Sequence, residues 1–231
     1  MRDAGKAAFI LAWVAAWCFW ADQAAWAGSI RGSVRLTGTI PAPKKLKVTV
    51  DHSVCGTEKD AEDVVLSSER GIRNVVVWLE TPPPNTKWTV TPPSQMDQKQ
   101  CVFVPRVVVA PVGGTVEFLN TDRLLHNLHS ASADNPVFNR TQPKGRTIPI
   151  TFRKPEIIRI DCDLHPWMRA WVVVAPHPFY ALTNDQGQFT LENVPAGQYT
   201  LHVWHESLGT TRSDVSVTDG ITTVPLEMSA K

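Results

Sequence analysis

Apolar and polar residues alternate with a period of two along most of the chain, the spacing of strands with one buried face. The pattern first appears in Ser29-Ile30-Arg31-Gly32-Ser33-Val34-Arg35-Leu36 and, after the turn-rich Thr37-Gly38-Thr39-Ile40-Pro41, again in Leu46-Lys47-Val48-Thr49-Val50. Residues 72–80 predict a third strand with a nearly continuous apolar centre, Val75-Val76-Val77-Trp78-Leu79. Two proline-rich stretches, Thr81-Pro82-Pro83-Pro84-Asn85 and Thr91-Pro92-Pro93-Ser94, then act as stiff, extended punctuation. Beyond them, residues 101–104, 106–109, 115–119, 147–152 and 157–160 predict strands, and residues 171–174 close the set. No segment after residue 27 carries the 3.6-residue period of an amphipathic helix, so the expected fold class is all-β.

Six strands joined by polar turns suit a small Greek-key sandwich over residues 96–176. Residues 28–84 lie before the proline-rich boundary and residues 177–231 after the sandwich. Composition narrows the possible partners. The chain has 231 residues, a formal net charge of +1 and no charge block, which gives no support for nucleic acid or an acidic membrane surface. Residues 1–27 read as a signal peptide: Arg2 and Lys6, an apolar run too short to span a bilayer comfortably, and a small-x-small site at Ala25-Trp26-Ala27. Export to the periplasm or the medium is expected, without membrane insertion after cleavage; retention as an anchor is the alternative.

The densest chemistry is Cys162-Asp163-Leu164-His165-Pro166-Trp167-Met168, which sets a thiol, an imidazole and a thioether in one loop between two predicted strands. Two His, one Cys and a distant Met describe an electron-transfer copper site, whereas structural zinc takes four Cys or His ligands. The second imidazole is supplied upstream, where the strand Thr115-Val116-Glu117-Phe118-Leu119-Asn120-Thr121-Asp122 leads to Leu124-Leu125-His126-Asn127-Leu128-His129.

These two segments together resemble the cupredoxins, the blue copper proteins, and the Cys-x-x-His-x-x-Met spacing is most similar to the amicyanin type found among methylamine-utilisation proteins. The resemblance implies one type 1 copper ion held by His126, Cys162, His165 and Met168. It also implies that Asn127 ties the ligand loops together near the thiolate. His165 would be the solvent-facing ligand, with Pro166 and Trp167 beside it as an apolar docking patch for a transient redox partner such as an oxidase, dehydrogenase or cytochrome. Leu125, Leu128, Trp167 and Trp171 would form the apolar shell that tunes the ion. His129 is placed outside the ligand set, and His177 and His205 are candidates for a second metal site.

With Cys162 on the metal, Cys55 and Cys101 are the remaining cysteines outside the leader, and an exported protein is expected to pair them; two buried free thiols are the alternative. Residues 181–204, with the turns Asp185-Gln186-Gly187 and Pro195-Ala196-Gly197, resemble the carboxypeptidase regulatory-like, transthyretin-type sandwich. That family opens with strands like Gly32-Ser33-Val34 and Val75-Val76-Val77, so residues 28–84 and 177–231 are expected to form one split sandwich with the copper domain inserted. Two domains in tandem are the other arrangement. The function expected from these resemblances is electron transfer without turnover. The competing readings are a copper carrier or storage protein, which three methionines outside the leader argue against, a Cys162–His165 enzyme, and a binding module with incidental metal.

Overall fold

The computed structural model describes residues 27–84, 88–89 and 92–230, so all but the last residue of the expected signal peptide lies outside the described residues. Its elements in chain order are β1 (Ala27–Thr37), β2 (Lys45–Lys47), α1 (His52–Cys55), β3 (Glu58–Asp60) and β4 (Val76–Leu79). Next come β5 (Ser94–Lys99), β6 (Val102–Val104), β7 (Val107–Pro111), β8 (Thr115–Asn120), β9 (His126–Ala131) and β10 (Asn139–Gln142). The series continues with β11 (Ile148–Thr151), β12 (Glu156–Asp161), β13 (Arg169–Ala175) and β14 (Tyr180–Leu182). It ends with β15 (Gln188–Pro195), β16 (Gly197–His205), β17 (Gly209–Val217) and β18 (Ile221–Ser229). The described residues are all-β apart from the four-residue α1.

Strands from both ends of the chain share an outer sandwich. One sheet has the order β15-β1-β18 and the other β14-β4-β16-β17, so β1 and β4 pair with strands that follow residue 177. Gly32 sits where β1 crosses closest to its neighbours: a Cβ there would lie 2.2 Å from the Val224 carbonyl and 2.6 Å from the Phe189 ring. An inner sandwich, β10-β9-β12-β13-β7 over β11-β8-β5-β6, holds the strands between. Each has its own core, with Phe118, Phe152 and Ile158 in the inner one and Ile30, Leu79 and Leu201 in the outer one.

The continuous valine runs are explained by a third apolar layer. In β4, Val77 faces the outer core while Val76 faces the inner sandwich; in β7 and β13, Val107, Val109 and Val173 face back, and Val108 and Val172 face the inner core. A strand buried on both faces loses its alternation. A bidentate ion pair closes this interface, with Arg106 Nε and Nη2 donating to Glu206 at 2.5 and 2.8 Å and Trp171 Nε1 donating to the same carboxylate at 2.9 Å.

Several local expectations are corrected. The strand predicted over residues 46–50 ends at Lys47, because the chain turns at Asp51 into α1. The strand predicted over 72–80 is shortened to β4, since Asn74 takes a positive φ of 63°. In three strands, β5, β9 and β10, the apolar alternation is interrupted: Gln98, Ser130 and Gln142 are buried where it calls for apolar residues.

Candidate metal centre

The site forms where β9 begins and the loop between β12 and β13 folds over it. Asn120, the last residue of β8, holds the approach to β9: its side-chain amide donates to the carbonyls of Leu124 and Gln142, and its Oδ1 accepts from Asp122 N at 3.1 Å. This is the local turn chemistry that a strand-end Asn favours. Alternation along β9 then turns His126, Leu128 and Ser130 inward, so His126 is fully buried. The ligand loop is pinned across its mouth by Cys162 N donating to Met168 O at 3.3 Å, and within by Met168 N donating to His165 O at 2.8 Å.

His126 Nδ1 and His165 Nδ1 are 2.9 Å apart, and Cys162 Sγ lies 3.6 Å from His165 Nδ1. The three donor atoms all fall within 4.8 Å of one another. Met168 is 1% exposed in the core cluster that also holds Cys162. Both imidazoles are backed by carboxylates. Asp122 Oδ2 is 2.9 Å from His126 Nε2, and Asp51 Oδ2 is 3.0 Å from His165 Nε2. An ionised carboxylate only accepts, so each Nε2 carries the proton and each Nδ1 is left as a lone pair. Asp122 is itself fixed by the backbone N–H groups of Gln100 and Cys101, which donate to its two oxygens.

Two lone pairs at that separation beside a thiol call for a cation between them. Burial pushes the His126 pKa below its ordinary value, helped by His165 and opposed by Asp122, which disfavours a proton in that role. Burial likewise raises the Cys162 thiol, against the N–H groups of Asn127, Leu164 and His165 that point at the sulfur. A metal ion would displace the thiol proton and find one sulfur and two nitrogens, a soft and borderline set that suits copper. The residues present therefore fit the ion that the loop sequence implies.

Asn127 N donates to Cys162 Sγ at 3.4 Å, and its side chain accepts from Asp163 N and donates to Asn139. His129, half exposed on the other face of β9, pairs with Asp163 at 2.9 Å. Cys55 and Cys101 are joined by a disulfide, with sulfurs 2.05 Å apart, and Cys162 is a buried free cysteine.

Two expectations about the rim fail. His165 is 1% exposed, and its outer nitrogen meets the Asp51 carboxylate and not solvent. Trp167 is also buried: its Nε1 donates to Cys101 O at 2.9 Å and its ring stands 5.1 Å from that of His165, so it cannot serve as a docking surface. Pro166 is exposed, as are Leu164 two residues before it and Leu125 beside His126, at 46% and 49%, so Leu125 is no part of an apolar shell. Trp171 belongs to the interface between the sandwiches, not to the metal centre. His177 is bonded to Leu79 O and Phe179 N and His205 to Ser207 N, and neither forms a metal-binding group with other described residues. Sequence reasoning missed Asp51 and the role of Asp122.

Comparisons with known proteins give partial likenesses. Residues 177–224 match the family described as polysaccharide lyase family 4, domain II, a different family from the transthyretin-type one that the turn pattern resembles. No curated protein matches the sequence. The copper-containing nitrite reductase NirK of Thermus scotoductus SA-01 is 27% identical over 41% of this chain, with a TM-score of 0.34; the chain spans 25% of its length. A purple cupredoxin from Nitrosopumilus maritimus is 24% identical over 36% of this chain and 99% of its own, with a TM-score of 0.32. An oxidized amicyanin variant is 24% identical over 35% of this chain and 80% of its own, with a TM-score of 0.33.

Proposed function

We propose that this chain is an exported electron-transfer protein holding one type 1 copper ion between His126, Cys162 and His165, with Met168 as the fourth, distant donor. The observation that carries the proposal is the pair of carboxylate-backed imidazoles whose Nδ1 atoms face each other 2.9 Å apart beside a buried free thiol. Copper would supply one-electron cycling between its cuprous and cupric states. The chain's own part is to keep the donors in one arrangement for both. Asp122 and Asp51 fix the rings, Asn127 N–H holds the sulfur, and the β9, β12 and β13 ladders fix the loop between them.

The buried disulfide supports an oxidising compartment, periplasmic or secreted. The outer sandwich, with its transthyretin-like turn order, is assigned the role of scaffold. A transient redox partner would meet the exposed residues around the loop, Leu164 and Pro166 among them.

One further reading is favoured by a specific arrangement. Cys162, His165 and Asp51 stand in the order of a nucleophile, base and orienting carboxylate. Burial opposes it, since Cys162 and His165 are each 1% exposed, and His126 Nδ1 takes the position beside His165 Nδ1 that a working base needs free. We therefore assign no turnover. Titration of the chain with cupric ion should saturate at one equivalent and develop an intense visible thiolate-to-copper band that Cys162→Ala abolishes. A pale cupric spectrum, with affinity unchanged in the variant, would favour a carrier or storage role instead.

A further inference from the structure

Residues 45–60 precede β4 of the outer sandwich in sequence, yet they pack on the inner one. Val48 and Cys55, 1% and 2% exposed, enter the inner core, and the Cys55–Cys101 disulfide ties the segment to the turn between β5 and β6. Asp51 stands at the N-cap of α1 in the left-handed region, φ 53° and ψ 35°, a conformation that Asp tolerates better than most residues. An Asp at an N-cap ordinarily accepts an N–H from the first turn of its helix. This one makes no capping bond, and its carboxylate goes to His165 Nε2, 114 positions away in sequence. The backbone at Asp51 still turns the chain, its carbonyl accepting from Val54 N and Cys55 N. Val50 and Val54 flank it on the outside, each 43% exposed.

We propose that residues 45–60 are a disulfide-anchored cover over the metal centre, and that Asp51 is the positioning residue that holds His165 with Nδ1 turned toward Cys162. The support for one donor then comes from a segment that precedes the inner sandwich in sequence. A neutral imidazole has two tautomers, and only the Nε2–H form leaves Nδ1 free as a donor. Asp51 selects that form and keeps small ligands from the outer edge of the ring. The role in metal binding rests on the copper reading above, whereas the tautomer exists in the metal-free chain.

Nitrogen NMR of the His165 ring in the metal-free full chain tests this directly. The wild type and Asp51→Asn, whose amide oxygen also accepts, should show the single Nε2–H tautomer; Asp51→Ala should show a mixture. After loading with cupric ion, Asp51→Ala should bind copper about 10- to 100-fold more weakly, the range for loss of a carboxylate behind a ligating His. Azide should perturb its visible spectrum at concentrations that leave the wild type unchanged. An unaltered tautomer in Asp51→Ala, or equal response to azide, overturns the cover. A wild type without any thiolate-to-copper band would sink the copper reading instead, and the metal-free arm would still decide the cover.

Discussion

The inner sandwich buries His126 and His165, and the outer one buries His177 and His205, all four at no more than 1% exposure. They differ in what is left over. His177 spends both nitrogens on the main chain, Nε2 toward Leu79 O and Nδ1 accepting from Phe179 N, and His205 Nδ1 accepts from Ser207 N. In the inner pair, carboxylates claim the outer nitrogens and the Nδ1 atoms are left facing each other beside a thiol. Burial of a histidine therefore says little by itself. The partner on its far nitrogen decides whether a lone pair remains for a metal.

The largest expected stability effect lies where the two sandwiches meet. Glu206→Ala strands Arg106, whose side chain is 9% exposed, and also removes the acceptor of Trp171 Nε1. Breaking one partner of a buried pair typically costs about 3–5 kcal/mol, so urea unfolding should show a loss of that size. If the outer sandwich is a scaffold, copper affinity of the folded variant should stay at the wild-type value. A parallel loss of affinity would join the two regions functionally and break the contrast.

A smaller effect should come from His205, where burial holds the pKa down from the ordinary 6.5 to about 4, with Glu206 and Asp63 opposing and Arg106 assisting. Between those values the unfolded chain binds a proton that the folded chain does not. Stability is therefore lost as pH falls from 6.5 toward 4, by about 3 kcal/mol at most. His205→Gln should flatten that part of the stability curve measured on the metal-free chain. An unchanged slope would show that the acid sensitivity arises elsewhere.

Local sequence carried the candidate metal-binding loop, because three of the proposed donors sit within Cys162–Met168 and the fourth lies six positions after the strand-end Asn120. The all-β class was equally visible in the alternation of β1, β8 and β12. Strand β9 was hidden because its inward positions include His126 and Ser130, which interrupt the apolar period they structurally obey. Asp51 was hidden for another reason: its partner is 114 positions away, and nothing local separates it from an ordinary helix cap. The depth of Trp167 was misjudged because a Pro-Trp pair beside a ligand reads as a surface, whereas the indole finds an acceptor in the Cys101 carbonyl, a residue placed there by the disulfide turn.

The central claim is that donors from β9 and the β12–β13 loop converge on one ion. X-ray absorption at the copper edge of the loaded full chain tests it most directly. The account predicts one short sulfur neighbour together with two imidazole nitrogens, and loss of the sulfur in Cys162→Ala. A shell of nitrogen and oxygen alone, the same in protein and variant, would contradict it.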